Sequence, residues 1–286
     1  MSPPLKVRIQ YMLPHHTLSS LVYKLTRSTW EPLKNLLIRG FIRIYGVDMS
    51  VVEHEDIGDY PDFNAFFTRE LKPGARRVDG AADAVISPVD GTVSQIGHNR
   101  HGYLLQAKDK KFTVLDLLGN DPDAALRFSK GAFITLYLAP ADYHRVHMPL
   151  SGALVKMTYV PGRLFSVNPL TTEYVDQLFA RNERIISLFN TSHGLMAVVN
   201  IGAIFVGSME TAWAGEITPG QDRSQSTWSY DHLKDPVKLA KGAEMGRFNM
   251  GSTVILLFEK ERVQWMENLK SGDRVKMGQK LGTLVG

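Results

Sequence analysis

Three short stretches of this chain hold side chains that could do chemistry. "SPVDGTV" carries Asp90 just before a glycine, and "APADYHRVHMP" carries His144 and His147 beside Asp142 and Arg145. "FNMGSTVILLFEK" sets Gly251, Ser252 and Thr253 against the apolar run Val254 to Phe258. Together they supply a carboxylate, an imidazole and a hydroxyl, the parts of a relay in which the acid fixes the tautomer of the base and the base takes the hydroxyl proton. Each stretch also has a plainer reading. Asp-Gly and Gly-Ser steps are ordinary turn formers, and two loop histidines with no third ligand at a matching spacing make a weak metal site. Ser252 has glycine on one side only, so it lacks the GxSxG elbow of an α/β-hydrolase.

The elements that must position these groups can be read from composition and pattern. At 286 residues the chain is long enough for one or two domains with a substantial core. It has no cysteine, which excludes disulfides, thiolate nucleophiles and zinc-thiolate sites and fits a reducing compartment. Its net charge of +4 is unevenly spread: the first 46 residues hold Lys6, Arg8, Lys24, Arg27, Lys34, Arg39 and Arg43 against Glu31 alone. Such a basic end suggests an anionic partner, nucleic acid or a membrane surface.

Within that segment, "TWEPLKNLLIRGFIRIYGVD" repeats Trp30, Leu33, Leu37, Phe41 and Ile44 at helical spacing, and "TLSSLVYKLTR" repeats Leu18, Leu21, Val22 and Leu25. Basic residues cut every apolar run short of the roughly 18 to 20 residues a spanning helix needs. The opening "MSPPLKVRIQYMLPHH" lacks the continuous apolar core of a signal peptide. Two readings remain: helices lying in the lipid headgroup plane with Trp30, Phe41 and Tyr45 dipping inward, or a helical pair packed on its own domain. Nucleic acid ranks third, because no recognised binding motif is present.

After Asp48 the acidic "VVEHEDIGDYPD" reads as a connector, and Phe63 to Leu71 read as a helix. Beyond Asp83, short Val/Ile/Leu/Tyr runs alternate with Gly and Pro turns, the mark of a β-rich domain. The expected class is α+β: N-terminal amphipathic helices over residues 1–60, then a β-rich catalytic domain over 61–286 with barrel-sandwich-like character. "KGAEMGRFNMGS" and "SGDRVKMGQKLGTLVG" echo the hairpins of lipoyl- and biotinyl-type barrels. The missing Met-Lys-Met or Asp-Lys-Ala step disfavours a carrier role.

With "SPVDG", "YHRVHMPLSG", "VPGRLFSVNP", "NIGAIFVGS", "KGAEMGRFNMGSTV" and "FNAFFTRELKPGARR", the chain resembles the bacterial-type phosphatidylserine decarboxylases, pyruvoyl-dependent enzymes, over almost its whole length. Met250 stands where that family more often has leucine. The resemblance implies that Ser252 attacks the Gly251 carbonyl with His147 as base and Asp90 orienting it. Self-cleavage then gives fragments 1–251 and 252–286 that stay together as a heterodimer, itself open to further dimerisation. Ser252 becomes a covalent pyruvoyl group, so neither pyridoxal phosphate nor a metal is required. That ketone forms a Schiff base with the amine of phosphatidylserine and accepts the electron pair left by CO2. His144 is implied as proton donor, and Ser166 in "GRLFSVNP" as a group touching the substrate. A lipid substrate favours the membrane reading of the basic helices and a peripheral place on the cytoplasmic face. The rivals are a pyruvoyl decarboxylase of a soluble amino acid or of S-adenosylmethionine, and a non-catalytic membrane-attached barrel-sandwich module.

Overall fold

In the computed structural model, which describes residues 3–107, 110–204, 208–217 and 224–285, the apolar runs of the second half become one large antiparallel sheet. Its strand order is Ser226–Ser229, Gly152–Val160, Arg184–Thr191, Gly194–Ile201, Ser252–Phe258, Ala132–Leu138, Gly91–His98 and Arg274–Val275, with Lys238–Leu239 also paired to Gly152–Val160. The Ser252–Phe258 strand lies between Gly194–Ile201 and Ala132–Leu138, and every one of its residues is buried. That double-sided burial explains why it reads as an unbroken apolar run rather than an alternating one.

A four-stranded sheet, in the order Gly215–Ile217, Met209–Thr211, Glu244–Phe248 and Arg145–His147, shares its core with the large one. Met209, Met245 and Phe248 belong to the same buried cluster as Val254, Ile255 and Leu256. The Trp213 ring meets Phe189 edge-on at 5.8 Å. A three-stranded sheet of Ala84–Ile86, Lys280–Leu284 and Val263–Trp265 completes the C-terminal end. Of the two segments that echo one another, the first contributes Glu244–Phe248 to the four-stranded sheet, and the second contributes Arg274–Val275 to the large sheet and Lys280–Leu284 to the three-stranded one. The class is α+β, and among the described residues no sheet closes into a barrel.

The N-terminal helices are α1 (Leu5–Met12), α2 (His15–Thr26) and α3 (Glu31–Tyr45), the last ended by Gly46 at φ +65°. They are packed onto the strand-rich part. Val7 of α1 is buried in the main core, and Gln10 bridges to Thr171 and to the backbone N–H of Ser166. The imidazoles of His15 and His16 bond the backbone of Leu164 and Gly162.

The stripe on α3 divides. Leu37, Ile38, Phe41 and Ile42 pack against Phe63, Phe66 and Phe67, and the Phe41 ring lies 5.3, 6.0 and 5.7 Å from those three rings. Phe41 therefore faces inward, correcting the expectation that it reaches lipid. Burial of a large apolar side chain contributes about 2 kcal/mol, which outweighs the pull of an interface it would share with water. Lys34, one of the basic residues of that segment, is buried with its ammonium on the carbonyls of Tyr60 and Gly58 at 2.7 and 3.4 Å. Trp30, Leu36, Ile44 and Tyr45 stay exposed.

The next helix, α4, covers only Phe63–Phe67, its first turn capped by Asp62 on the Ala65 N–H. The chain expected to continue the helix to Leu71 instead pairs there with Val52. The cluster around Phe63 also takes in Ile38 and Tyr60, so it spans the expected 60/61 boundary. No helix among the described residues is long and apolar enough to cross a membrane.

Candidate active site

Sheet register brings the three polar stretches to one place. On the Ala132–Leu138 strand, Tyr137 pairs with Thr92 on one side and Thr253 on the other, while Ser252 pairs with Leu138. Asp90 and Ser252 therefore leave the sheet on either side of the end of that strand. The chain continuing from Leu138 is the histidine loop itself. The His147 N–H donates to the Pro88 carbonyl at 2.8 Å, and the Phe248 N–H donates to the His144 carbonyl at 3.0 Å. Arg145–His147 is thus stitched to the Asp90 turn and to the strand leading into Ser252. Gly91 is needed for this closeness, because a Cβ there would sit 2.6 Å from the Tyr137 carbonyl oxygen.

The junction before Ser252 is held at both ends and distorted between them. Asn249 is fixed by its N–H to the Ser208 carbonyl, by its amide to the Ser208 hydroxyl at 2.8 Å, and by the Asn64 amide at 3.2 Å. Beyond it, Met250 has φ +124° and Gly251 φ +50° before the Ser252 strand begins. A Cβ on Gly251 would touch nothing within 4 Å, so glycine serves there for its backbone angle rather than for space. Met250 pays no such exemption: its side chain is wedged between both apolar clusters, which holds a conformation costing about 1–3 kcal/mol. The Ser252 hydroxyl is buried and makes no hydrogen bond among the described residues. The buried hydroxyls of Ser19, Thr135, Ser187 and Thr253 share that state, so what sets Ser252 apart is its place directly after the distorted Met250–Gly251 step, where an unengaged hydroxyl fits the precursor of a group made from that side chain.

His147 is buried, with Nδ1 2.9 Å from the Gly242 carbonyl oxygen and Nε2 3.1 Å from the Tyr143 hydroxyl. A carbonyl only accepts, so Nδ1 carries the proton and Nε2 is left as a lone pair for Tyr143 to donate to. Burial lowers its pKa, the Gly242 bond and the charges of Glu244 and Asp90 oppose that, and Arg145 adds to it.

Asp90 is engaged elsewhere. Arg76 Nε meets its two oxygens at 2.8 and 3.0 Å, a second Arg76 nitrogen bonds Oδ2, and the Met277 N–H donates to Oδ1 at 2.8 Å. The structure thus places Asp90 and His147 in one site, with Asp90 reaching His147 by its charge and not by a hydrogen bond. Neither Arg76 nor Tyr143 stood out in the sequence reading, although both sit inside its motifs, "KPGARR" and "DYHRVH".

His144 is fully buried against the Phe67 ring at 4.1 Å, with Nδ1 2.8 Å from the Asp142 carbonyl oxygen and no partner for Nε2 among the described residues. Burial lowers its pKa to about 3, so at neutral pH it is an uncharged ring presenting a bare acceptor. Ser166 accepts from the Asn168 amide at 2.9 Å, and Asn168 caps the short helix Pro169–Tyr174. None of its bonds reaches the 251–252 junction. A cleft of about 300 Å³ has Thr92, Tyr137, Val167 and Pro169 among its walls, but no residue of the junction or of the histidine loop lines it. No group of three or more His, Asp and Glu side chains among the described residues could hold a metal.

Residues 63–283 match the family model described as phosphatidylserine decarboxylase, and residues 5–46 match a second model described as PSD. The chain is 52% identical over 273 residues to the phosphatidylserine decarboxylase proenzyme of Ectopseudomonas mendocina, covering 96% of each. It is also 52% identical over 274 residues to that of Pseudomonas fluorescens, covering 96% of this chain and 95% of the relative. To that of Nitrosococcus oceani it is 51% identical over 276 residues, covering 96% and 90%.

Proposed function

The chain belongs to the phosphatidylserine decarboxylase family, and from that premise we propose that it cleaves itself and then converts phosphatidylserine to phosphatidylethanolamine and CO2 at a membrane surface. The observation that carries this reading is Ser252: a buried hydroxyl without a partner among the described residues, directly after two residues held at positive φ.

In the proposed self-cleavage, Ser252 Oγ attacks the Gly251 carbonyl carbon while His147 Nε2 takes the hydroxyl proton. The Oγ–C bond replaces the C–N bond, and the departing nitrogen takes the proton back. In the elimination that follows, the Cα proton passes to His147, neutral again after the first step, the Cα–H electron pair becomes the Cα=Cβ bond, and the Cβ–Oγ bond breaks to free the Gly251 carboxylate. The remaining dehydroalanine tautomerises and hydrolyses to a pyruvoyl end with loss of ammonia. The negative charge of Asp90 favours the transient imidazolium. Rearrangement at Met250 and Gly251 releases backbone strain as the bond is lost.

The pyruvoyl carbonyl supplies an electron sink for the pair left by CO2. His144 Nε2 is an acceptor first: it takes a proton from the substrate ammonium, helped by the incoming substrate carboxylate, and returns it to the substrate α-carbon. The Ser166 hydroxyl, whose oxygen is occupied by Asn168, has its own proton to offer a substrate oxygen.

For membrane docking, α1 to α3 expose Leu5, Ile9, Met12, Leu21, Leu25, Trp30, Leu36 and Ile44. Lys6, Arg8, Lys24, Arg39 and Arg43 are exposed beside them. Each basic residue near an anionic surface contributes about 1 kcal/mol. Because Val7 and Ile38 are core residues, deletion of the segment is a poor test. Leu36→Gln with Ile44→Gln in the Ser252→Ala chain should weaken co-sedimentation with anionic vesicles, and salt should weaken it without abolishing it. Unchanged binding by the double variant would remove α3 from the docking surface.

Self-cleavage is tested by denaturing gel and by intact mass of the small fragment. Ser252→Ala, His147→Ala and Asp90→Ala should each leave one 32.0 kDa chain, whereas His144→Ala should cleave yet decarboxylate poorly. Active wild-type protein that stays in one piece would overturn the reading.

A further inference from the structure

The mechanism above leaves a buried titratable group unused. Tyr143 lies four residues before His147 on the same loop, and its hydroxyl is the only side-chain partner that His147 has among the described residues. Its ring tilts 33° from the imidazole at 5.6 Å. Burial pushes the phenol well above its ordinary pKa, so the hydroxyl keeps its proton at any pH the enzyme would meet. A phenol that keeps its proton, facing a nitrogen that cannot have one, is a donor.

We propose that Tyr143 is the positioning residue of the self-cleavage base, donating to His147 Nε2 in the precursor and giving up that nitrogen to the Ser252 hydroxyl when cleavage begins. The inference deepens the self-processing reading and rests on it. Two consequences follow from one hydrogen bond. Donation to the Nε2 lone pair stabilises the neutral imidazole, so it keeps the base ready at lower pH. It also competes with Ser252 for the same lone pair, so it restrains the step it prepares.

The other charged groups around His147 are already matched. Glu244, its partner across the strand pair, is bonded to Arg145, which also meets Glu70. Asp90 is held by Arg76. Removal of the Tyr143 hydroxyl leaves those pairs intact, which makes the phenol the group whose loss moves the titration of His147.

The test is the rate of self-cleavage against pH for freshly refolded wild-type and Tyr143→Phe chains. The expected result is a pair of profiles that separate on the acid side and meet or cross on the alkaline side. In the variant the acid-side inflection moves up by roughly 0.5 to 1 pH unit, the worth of one net hydrogen bond, so cleavage is slower near pH 6. On the alkaline plateau the variant is as fast as wild type or faster, because Ser252 no longer competes. A merely structural tyrosine would lower the rate by the same factor at every pH, and that outcome, or an unshifted profile, overturns the proposal. Should Tyr143→Phe fail to fold, the ¹⁵N shifts of His147 in the Ser252→Ala chain decide the matter with Tyr143 in place. A proton on Nδ1 and a bare, hydrogen-bonded Nε2 are expected, and a proton on Nε2 at neutral pH overturns the assignment. Wild-type protein that never cleaves would sink the self-processing reading while leaving the ¹⁵N result to judge Tyr143.

Discussion

Replacing Arg76 by alanine tests how firmly Asp90 is committed to the partner seen here. Asp90 is 6% exposed, and its carboxylate accepts from Arg76 Nε, from a second Arg76 nitrogen and from the Met277 N–H. Arg76→Ala leaves only the last of these on a buried charge. Breaking a buried pair in this way costs about 3–5 kcal/mol, and at roughly 2–4 °C per kcal/mol for a chain of this size the melting temperature should fall by about 6 to 20 °C. Ser252→Ala keeps the chain uncut, so a thermal melt of Ser252→Ala against Ser252→Ala/Arg76→Ala reads the effect without contribution from processing. Adding Asp90→Asn removes the stranded charge and should recover about half of the loss, a coupling of roughly 2 kcal/mol. A Ser252→Ala/Arg76→Ala chain that melts within about 2 °C of its parent, less than the shift expected from 1 kcal/mol, would refute the reasoning. So would a triple variant no more stable than the double.

Two further outcomes follow from orphaned groups in the site. In a His147→Ala background that cannot process itself, adding Ser252→Ala should raise stability by about 1 kcal/mol, because it removes a buried hydroxyl with no partner; a melt showing a loss of that size would mean that Ser252 is bonded after all. His144 has its pKa lowered to about 3 by burial, so the unfolded chain binds a proton below pH 6.5 that the folded chain refuses. Stability should therefore fall by about 1.4 kcal/mol per pH unit between about pH 6 and pH 4 from this group alone, and urea melts of Ser252→Ala/His144→Asn should show a shallower acid slope than Ser252→Ala.

What the sequence made legible was whatever is local. The runs at 132–138, 152–160, 194–201 and 252–258 became strands because β-branched and aliphatic residues between Gly and Pro turns encode a strand without reference to its neighbours. The short helices Val114–Leu117, Pro122–Phe128 and Leu178–Arg181 escaped notice, since so few residues complete too little of a helical period to be read. Periodicity found the stripe on α3 but not its destination: Leu37 and Phe41 met Phe63 and Phe66, whose position depends on where the chain turns after Asp62. The three chemical stations were visible as residue types. Their convergence at Leu138 was not, because it arises from the pairing of Thr92 and Thr253 with one residue, Tyr137.

The same distinction explains the form of the site. A sequence lists the members of a relay and says nothing of the partners each holds before it acts. In the intact chain His147 holds Tyr143, Asp90 holds Arg76, and Ser252 holds no partner among the described residues. A hydroxyl without a partner is the high-energy member, and a histidine bonded to a neutral phenol can exchange it for another hydroxyl at little net cost, since one hydrogen bond replaces another. Asp90 differs: leaving Arg76 would strand two buried charges. The exchange that starts cleavage therefore falls to His147 and Ser252, with Asp90 contributing from where it stands. On this reasoning Arg76→Lys, which keeps the charge but loses the forked geometry, should slow cleavage far less than His147→Ala does.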